Sequence, residues 1–163
     1  ITLNDIDDQR VGQAAGNARI LDPAELQHFL PHLGQVEREH RAIDLAEREL
    51  GGLDTVLIAH NAAFDMRFLQ LKEERTGIRF TQPVLDTLLL SAVVHPNQES
   101  HKLDVILERL GITIGTRHNA LEDALATGEV FLKLVKLLED QGIVTVRQAL
   151  EASEKTYFAR VKY

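Results

Sequence analysis

Val56, Leu57 and Ile58 form a short, branched and uniformly apolar run that stops at a His-Asn pair, where a helical pattern begins at once. A run of this kind fits a strand buried on both faces of a largely parallel sheet. Such a strand needs helices to cover it, so the chain is predicted to fold as an α/β protein.

The rest of the pattern agrees. Residues 62–75 read as a helix with Phe64, Phe68, Leu69 and Leu71 near one side, charge in its final turns and Gly77 as its stop. Extended segments are expected at Ile78–Phe80 and Val84-Leu85, and an apolar helix from Asp86-Thr87 to about Val94. Leu103, Ile106, Leu107 and Leu110 repeat at helical spacing before Gly111, and a broad apolar stripe marks a long helix from about Ala120 to Glu139. Upstream, Asp22-Pro23-Ala24-Glu25 opens a helix through about Leu33 as a capping box, and a second runs from about Gln35 to Leu50, stopped by Gly51-Gly52. The segment from Thr145 is amphipathic and ends basic.

Composition narrows the function. A chain of 163 residues with 44% apolar content is sized for one domain, residues 1–163, with a real core. The longest apolar run is far too short to span a membrane, so no membrane contact is expected of this segment. Without cysteine there is no disulfide framework, thiolate zinc site or cysteine nucleophile, which suits a cytoplasmic setting. A net charge of −7 argues against a protein that coats duplex nucleic acid, but not against an enzyme gripping one strand end. The chain does not begin with Met and carries no signal-peptide pattern, so it is expected to be part of a longer polypeptide.

Two stretches carry the chemistry: His60-Asn61-Ala62-Ala63-Phe64-Asp65 and His118-Asn119-Ala120-Leu121-Glu122-Asp123-Ala124. Each lies where an extended or turn-like segment gives way to a helix, so each can aim a carboxylate from a first helical turn into a common cleft. Singly, these residues have plain structural explanations. Asn61 and Asn119 are ordinary N-cap types, Asn119 with Glu122 makes a capping box, and Asp65 and Asp123 favour a helix N-terminus electrostatically. The two stretches together, in this order and context, outweigh those explanations.

The paired stretches resemble the second and third motifs of the DnaQ-like (DEDDh) 3′-to-5′ exonucleases, of the DNA polymerase III epsilon type, from about Leu53 onward. The resemblance implies a ribonuclease H-like mixed sheet flanked by helices, lacking its N-terminal strands, with residues 1–52 divergent or incomplete. It also implies two-metal-ion release of nucleotides from the 3′ end of single-stranded DNA or RNA, with Mg²⁺ or Mn²⁺ as the two divalent ions. Asp65 and Asp123 are then the metal ligands, and His118 the general base that takes the proton from the attacking water. His60, Asn61 and Phe64 are the candidates for the substrate pocket, although packing is the favoured role for Phe64. Asp86 matches a recurrent family position and is read as structural.

The family's first motif, Asp-x-Glu-Thr-Thr-Gly, is absent. Asp5-Ile6-Asp7 offers acids two apart after a short strand-like stretch, as a degenerate substitute. The stronger reading puts the first motif upstream of Ile1 or has it lost, and this chain alone is then weak or inactive. A non-catalytic relative that binds a strand end or a protein partner is the alternative.

Other residues offer less. His28 and His32 lack a third zinc ligand and have Pro31 between them, while His40, His95 and His101 read as surface or loop residues. Arg67, Lys72, Arg75 and Arg79 read as a solvated face. Lys155, Arg160 and Lys162 beside Tyr157, Phe158 and Tyr163 are a weaker nucleic-acid contact.

Overall fold

Leu57–Ala59 forms β1 and Val84–Asp86 forms β2, and the two pair in parallel with Leu57 opposite Val84 and Ala59 opposite Asp86. The computed structural model describes residues 55–113 and 120–162. Helix α1, Ala62–Thr76, connects the two strands. Then follow α2 (Thr87–Val94), α3 (Leu103–Leu110), α4 (Ala120–Asp140), α5 (Val146–Glu154) and α6 (Tyr157–Lys162). A short parallel sheet flanked by helices is the α/β architecture expected from the sequence.

Strand β1 differs from expectation in burial, since all three of its residues are half-buried. Val56 and Ile58 pack against the core, and α4 lies on β1. Among the described residues β1 has only one strand neighbour, β2, so it is less enclosed than a central strand. The extended segment expected at Ile78–Phe80 forms no strand; the Ile78 N–H bonds to the Thr76 hydroxyl at 3.2 Å rather than to a ladder.

The core lies on the α4 side of the sheet. Leu85, Leu90, Ile106, Val130, Leu134 and Leu138 are completely buried, and α2 packs on both α4 and α5. Each such side chain contributes about 1.5–3 kcal/mol by leaving water. The helix stops expected at Gly77 and Gly111 are found there, while the two helices expected upstream of Gly51 lie outside the described residues. Gly77 (φ 73°) closes α1 by donating its N–H to Glu73 O, and Gly111 (φ 62°) closes α3 with Ile112 N–H returning to Leu107 O at 2.9 Å. Thr145 and Gln148 form a capping box at the start of α5. No described helix is long and apolar enough to cross a membrane.

Helix α1 turns a different row inward from the one its apolar residues suggest. Ala62 is buried and Met66 and Leu69 half-buried, whereas Phe64, Phe68 and Leu71 are 76%, 52% and 59% exposed. Packing as the role of Phe64 is therefore corrected. The small Ala62 allows the helix start to approach β2, and that orientation turns the bulkier rings outward. Lys72 lies over the Phe68 ring, its Nζ 5.1 Å from the centroid.

Candidate active site

The site is built at the C-terminal ends of the two strands, where α1 and α2 begin. Because Ala59 is level with Asp86, the segment leaving β1 passes directly over the Asp86 carboxylate. Asp86 Oδ1 accepts the backbone N–H of Asn61 at 2.8 Å and Oδ2 that of Ala62 at 2.9 Å. Oδ1 also accepts the N–H of Leu88 at 2.9 Å, so one buried carboxylate caps α1 and α2 together. The structural reading of Asp86 holds. Asn61, expected to be an ordinary N-cap, occupies that position with left-handed backbone (φ 62°) and makes no side-chain cap bond. The cap comes from across the sheet instead.

Asp65 sits in the first turn of α1. Its carboxyl is held above the usual aspartate range, first by partial loss of water around it and further by the charge of Asp86, while its backbone hydrogen bond and His60 pull the other way. The side chain is nevertheless exposed, so the desolvation is that of a cleft edge and not of the core. His60 is half-buried, with Nδ1 3.0 Å from Thr87 Oγ1.

Asp123 lies in the first turn of α4 and is half-buried, its backbone carbonyl accepting the Thr127 hydroxyl at 2.8 Å. Both acid-bearing helices pack against β1. The strand-to-helix junction thus gathers His60, Asn61, Asp65 and Asp86, with Phe64 projecting into solvent beside them. The charges bearing on Asp65 are those of Asp86 and His60, and Asp123 is not among them. His118, Asp5 and Asp7 lie outside the described residues, as does Asn119 of the expected capping box.

A matching family model, described as "Exonuclease", covers residues 22–131. The chain belongs to the DnaQ-like exonuclease family. Members of that family are phosphodiester hydrolases of the 3′-to-5′ class. A "DNA polymerase III subunit epsilon-like protein" of Rhodobacter capsulatus is 50% identical over 102 residues, 61% of this chain and 14% of that protein. A "DNA polymerase III PolC-type" of Caldanaerobacter subterraneus is 39% identical over 93 residues, 57% of this chain and 7% of the relative. The PolC-type protein of Streptococcus suis is 32% identical over 155 residues, 88% of this chain and 11% of its own length. The chain therefore spans a small part of the curated relatives it matches. No solved structure matches it.

The donor chemistry suits the divalent ions such exonucleases generally use, since carboxylate oxygens are what hard Mg²⁺ and Mn²⁺ prefer. Asp65, with a neighbouring negative charge and incomplete hydration, is a place where added positive charge is welcome. Among the described residues, however, no group of three or more His, Asp or Glu stands close enough to hold an ion. The described part places one carboxylate in the first turn of each of two helices, Asp65 on α1 and Asp123 on α4.

Sequence reasoning missed one polar cluster. His101, expected at the surface or in a loop, does lie in a loop but is only 2% exposed. Its Nδ1 lies 2.9 Å from Ser91 Oγ, which also receives Arg109 Nη1 at 3.4 Å, and Arg109 Nη2 donates to Ser100 O at 2.8 Å. The Phe158 ring closes the other side edge-on at 4.9 Å. No local signal predicts this burial, because it depends on a helix far along the chain.

Proposed function

We propose that this chain carries part of the active site of a 3′-to-5′ exonuclease that removes nucleotides from the 3′ end of single-stranded DNA or RNA by two-metal-ion hydrolysis. The observation that supports it best is the pair of acid-bearing first turns, Asp65 on α1 and Asp123 on α4, on two helices that share β1 as their support. Asp65 and Asp123 would hold the divalent ions. When bound, these supply positive charge for the phosphate, an activated water and relief of the leaving oxygen.

The chain's own residues do the rest. His118, just before α4, takes the proton from the attacking water, a task suited to an imidazole near neutral pH. His60 and Asn61 shape the pocket for the terminal nucleotide. Phe64, exposed beside them, offers a flat apolar face on which a terminal base stacks. The small share of each relative that the chain spans supports a longer polypeptide, in which residues 1–163 form one exonuclease-like domain and the first-motif acids lie upstream.

The rival reading is a non-catalytic module that binds a strand end or a protein partner. Degradation of 3′-labelled single-stranded DNA and RNA with Mn²⁺, beside an Asp123→Ala control, separates the two. Cleavage lost in the control supports the nuclease and brings Asp5 and Asp7 forward as ligands. Strand binding without cleavage, restored by no upstream segment, supports the module.

A further inference from the structure

Asn61 is a residue type that readily caps its own helix, yet α1 is capped by Asp86 from the next strand. A self-capped helix would be free to tilt at the end of its loop. Here the position of α1 is transferred from β2, through two backbone N–H groups at the residue with left-handed backbone and the one after it. Asparagine tolerates left-handed backbone better than other non-glycine residues, and the bonds to Asp86 hold it there.

Thr87, completely buried, acts on the preceding residue of the motif. A hydroxyl has one proton, and Thr87 donates it to the Ala59 carbonyl at 3.3 Å. With that proton on Ala59 O, the Thr87 oxygen faces His60 Nδ1 at 3.0 Å as an acceptor, an arrangement that favours the hydrogen on Nδ1.

We propose that Asp86 and Thr87 are positioning residues for the second motif: Asp86 fixes the backbone turn that aims Asp65, and Thr87 holds the His60 ring in one orientation as the Nδ1–H tautomer. Neither touches the substrate. The functional side of this inference rests on His60 and Asp65 being site residues; the tautomer does not. Asp86 ends β2 and Thr87 starts α2, so the device is built by the sheet register and not by the motif itself.

Long-range ¹⁵N–¹H spectra of this chain at neutral pH test the tautomer, and anisotropy of a labelled single-stranded oligonucleotide tests its consequence. The expected result is one Nδ1–H form of His60 in the wild type and in Thr87→Ser, a mixture in Thr87→Val, and a several-fold weaker complex for the valine variant that serine restores. A wild-type ring protonated at Nε2 overturns the proposal, as does a valine variant whose oligonucleotide affinity matches wild type. The wild-type spectrum decides the tautomer even if the valine variant fails to fold. Neither readout requires cleavage, so an inactive chain that binds the oligonucleotide leaves the positioning claim standing while the nuclease reading fails.

Discussion

Ser91 Oγ and His101 Nδ1 meet at 2.9 Å inside the protein, in a pocket closed by Arg109 on one side and Phe158 on the other. The histidine lies below its ordinary pKa, first because burial penalises the charged ring and then because the Arg109 guanidinium repels it. Its Nε2 is buried with no hydrogen-bond partner among the described residues, so a second proton there would have no acceptor.

The pH dependence follows from that direction. The unfolded chain binds a proton on this ring near pH 6.5, and the folded chain only at lower pH, so acid favours unfolding. The contribution is complete above about pH 6.5 and declines as pH falls through that value toward the folded pKa. An NMR titration of the His101 ring protons should give a midpoint below the ordinary histidine value. A midpoint at or above it would contradict the burial.

Two glycines should respond oppositely to alanine although neither added Cβ meets an atom within 4 Å. Gly111 has φ 62°, so Gly111→Ala should cost about 1–2 kcal/mol from backbone strain alone. Gly128 lies inside α4 with ordinary helical backbone, and Gly128→Ala should stabilise by roughly 0.5–1 kcal/mol. Urea unfolding of both variants measures the contrast, and equal signs would refute it.

Asp86→Ala removes the cap of two helices at once. At about 1–2 kcal/mol per cap the loss should be roughly 2–4 kcal/mol. Hydrogen exchange should show faster amide exchange at Ala62 and Leu88 together. Protection lost at only one of them would mean that the two helix starts are not coupled through this carboxylate.

Phe64 is 76% exposed, so Phe64→Ala should change folding stability by less than about 0.5 kcal/mol. If the ring is a stacking platform, the same change weakens oligonucleotide binding by roughly 1–3 kcal/mol. Unfolding and anisotropy measured on one sample separate the effects, and an unaltered affinity would remove Phe64 from the pocket.

Elements were legible wherever local chemistry decides them. Gly77 and Gly111 end their helices because their left-handed backbone suits glycine, and the spacing of Ile106, Leu107 and Leu110 marks the face of α3 near the core. Both motif acids, Asp65 and Asp123, stand in first helical turns, as their sequence setting implied. The orientation of α1 was not legible, because the bond from the Ala62 N–H to Asp86, which comes from a different strand, fixes the helix start whatever the apolar preference of Phe64, Phe68 and Leu71. Nor was the burial of His101, which has no periodic neighbours of its own and becomes enclosed only when Phe158 arrives. Asn61 illustrates the same limit: its residue type suggests a cap, and the sheet register supplies a different one.

Tethering at Asp86 concerns only the entry end of α1; the exit end stops at Gly77, and residues 78–82 lead back toward the sheet outside any strand. The part of that path before Pro83, whose carbonyl accepts the Leu57 N–H at 2.9 Å, can accept insertions or deletions among descendants of this sequence with little effect on where Asp65 points. Any change of strand register between Ala59 and Asp86 would be inherited at once by the cleft. Evolution is thus given one hinge point to conserve and one connection to vary, separated by the length of a single helix.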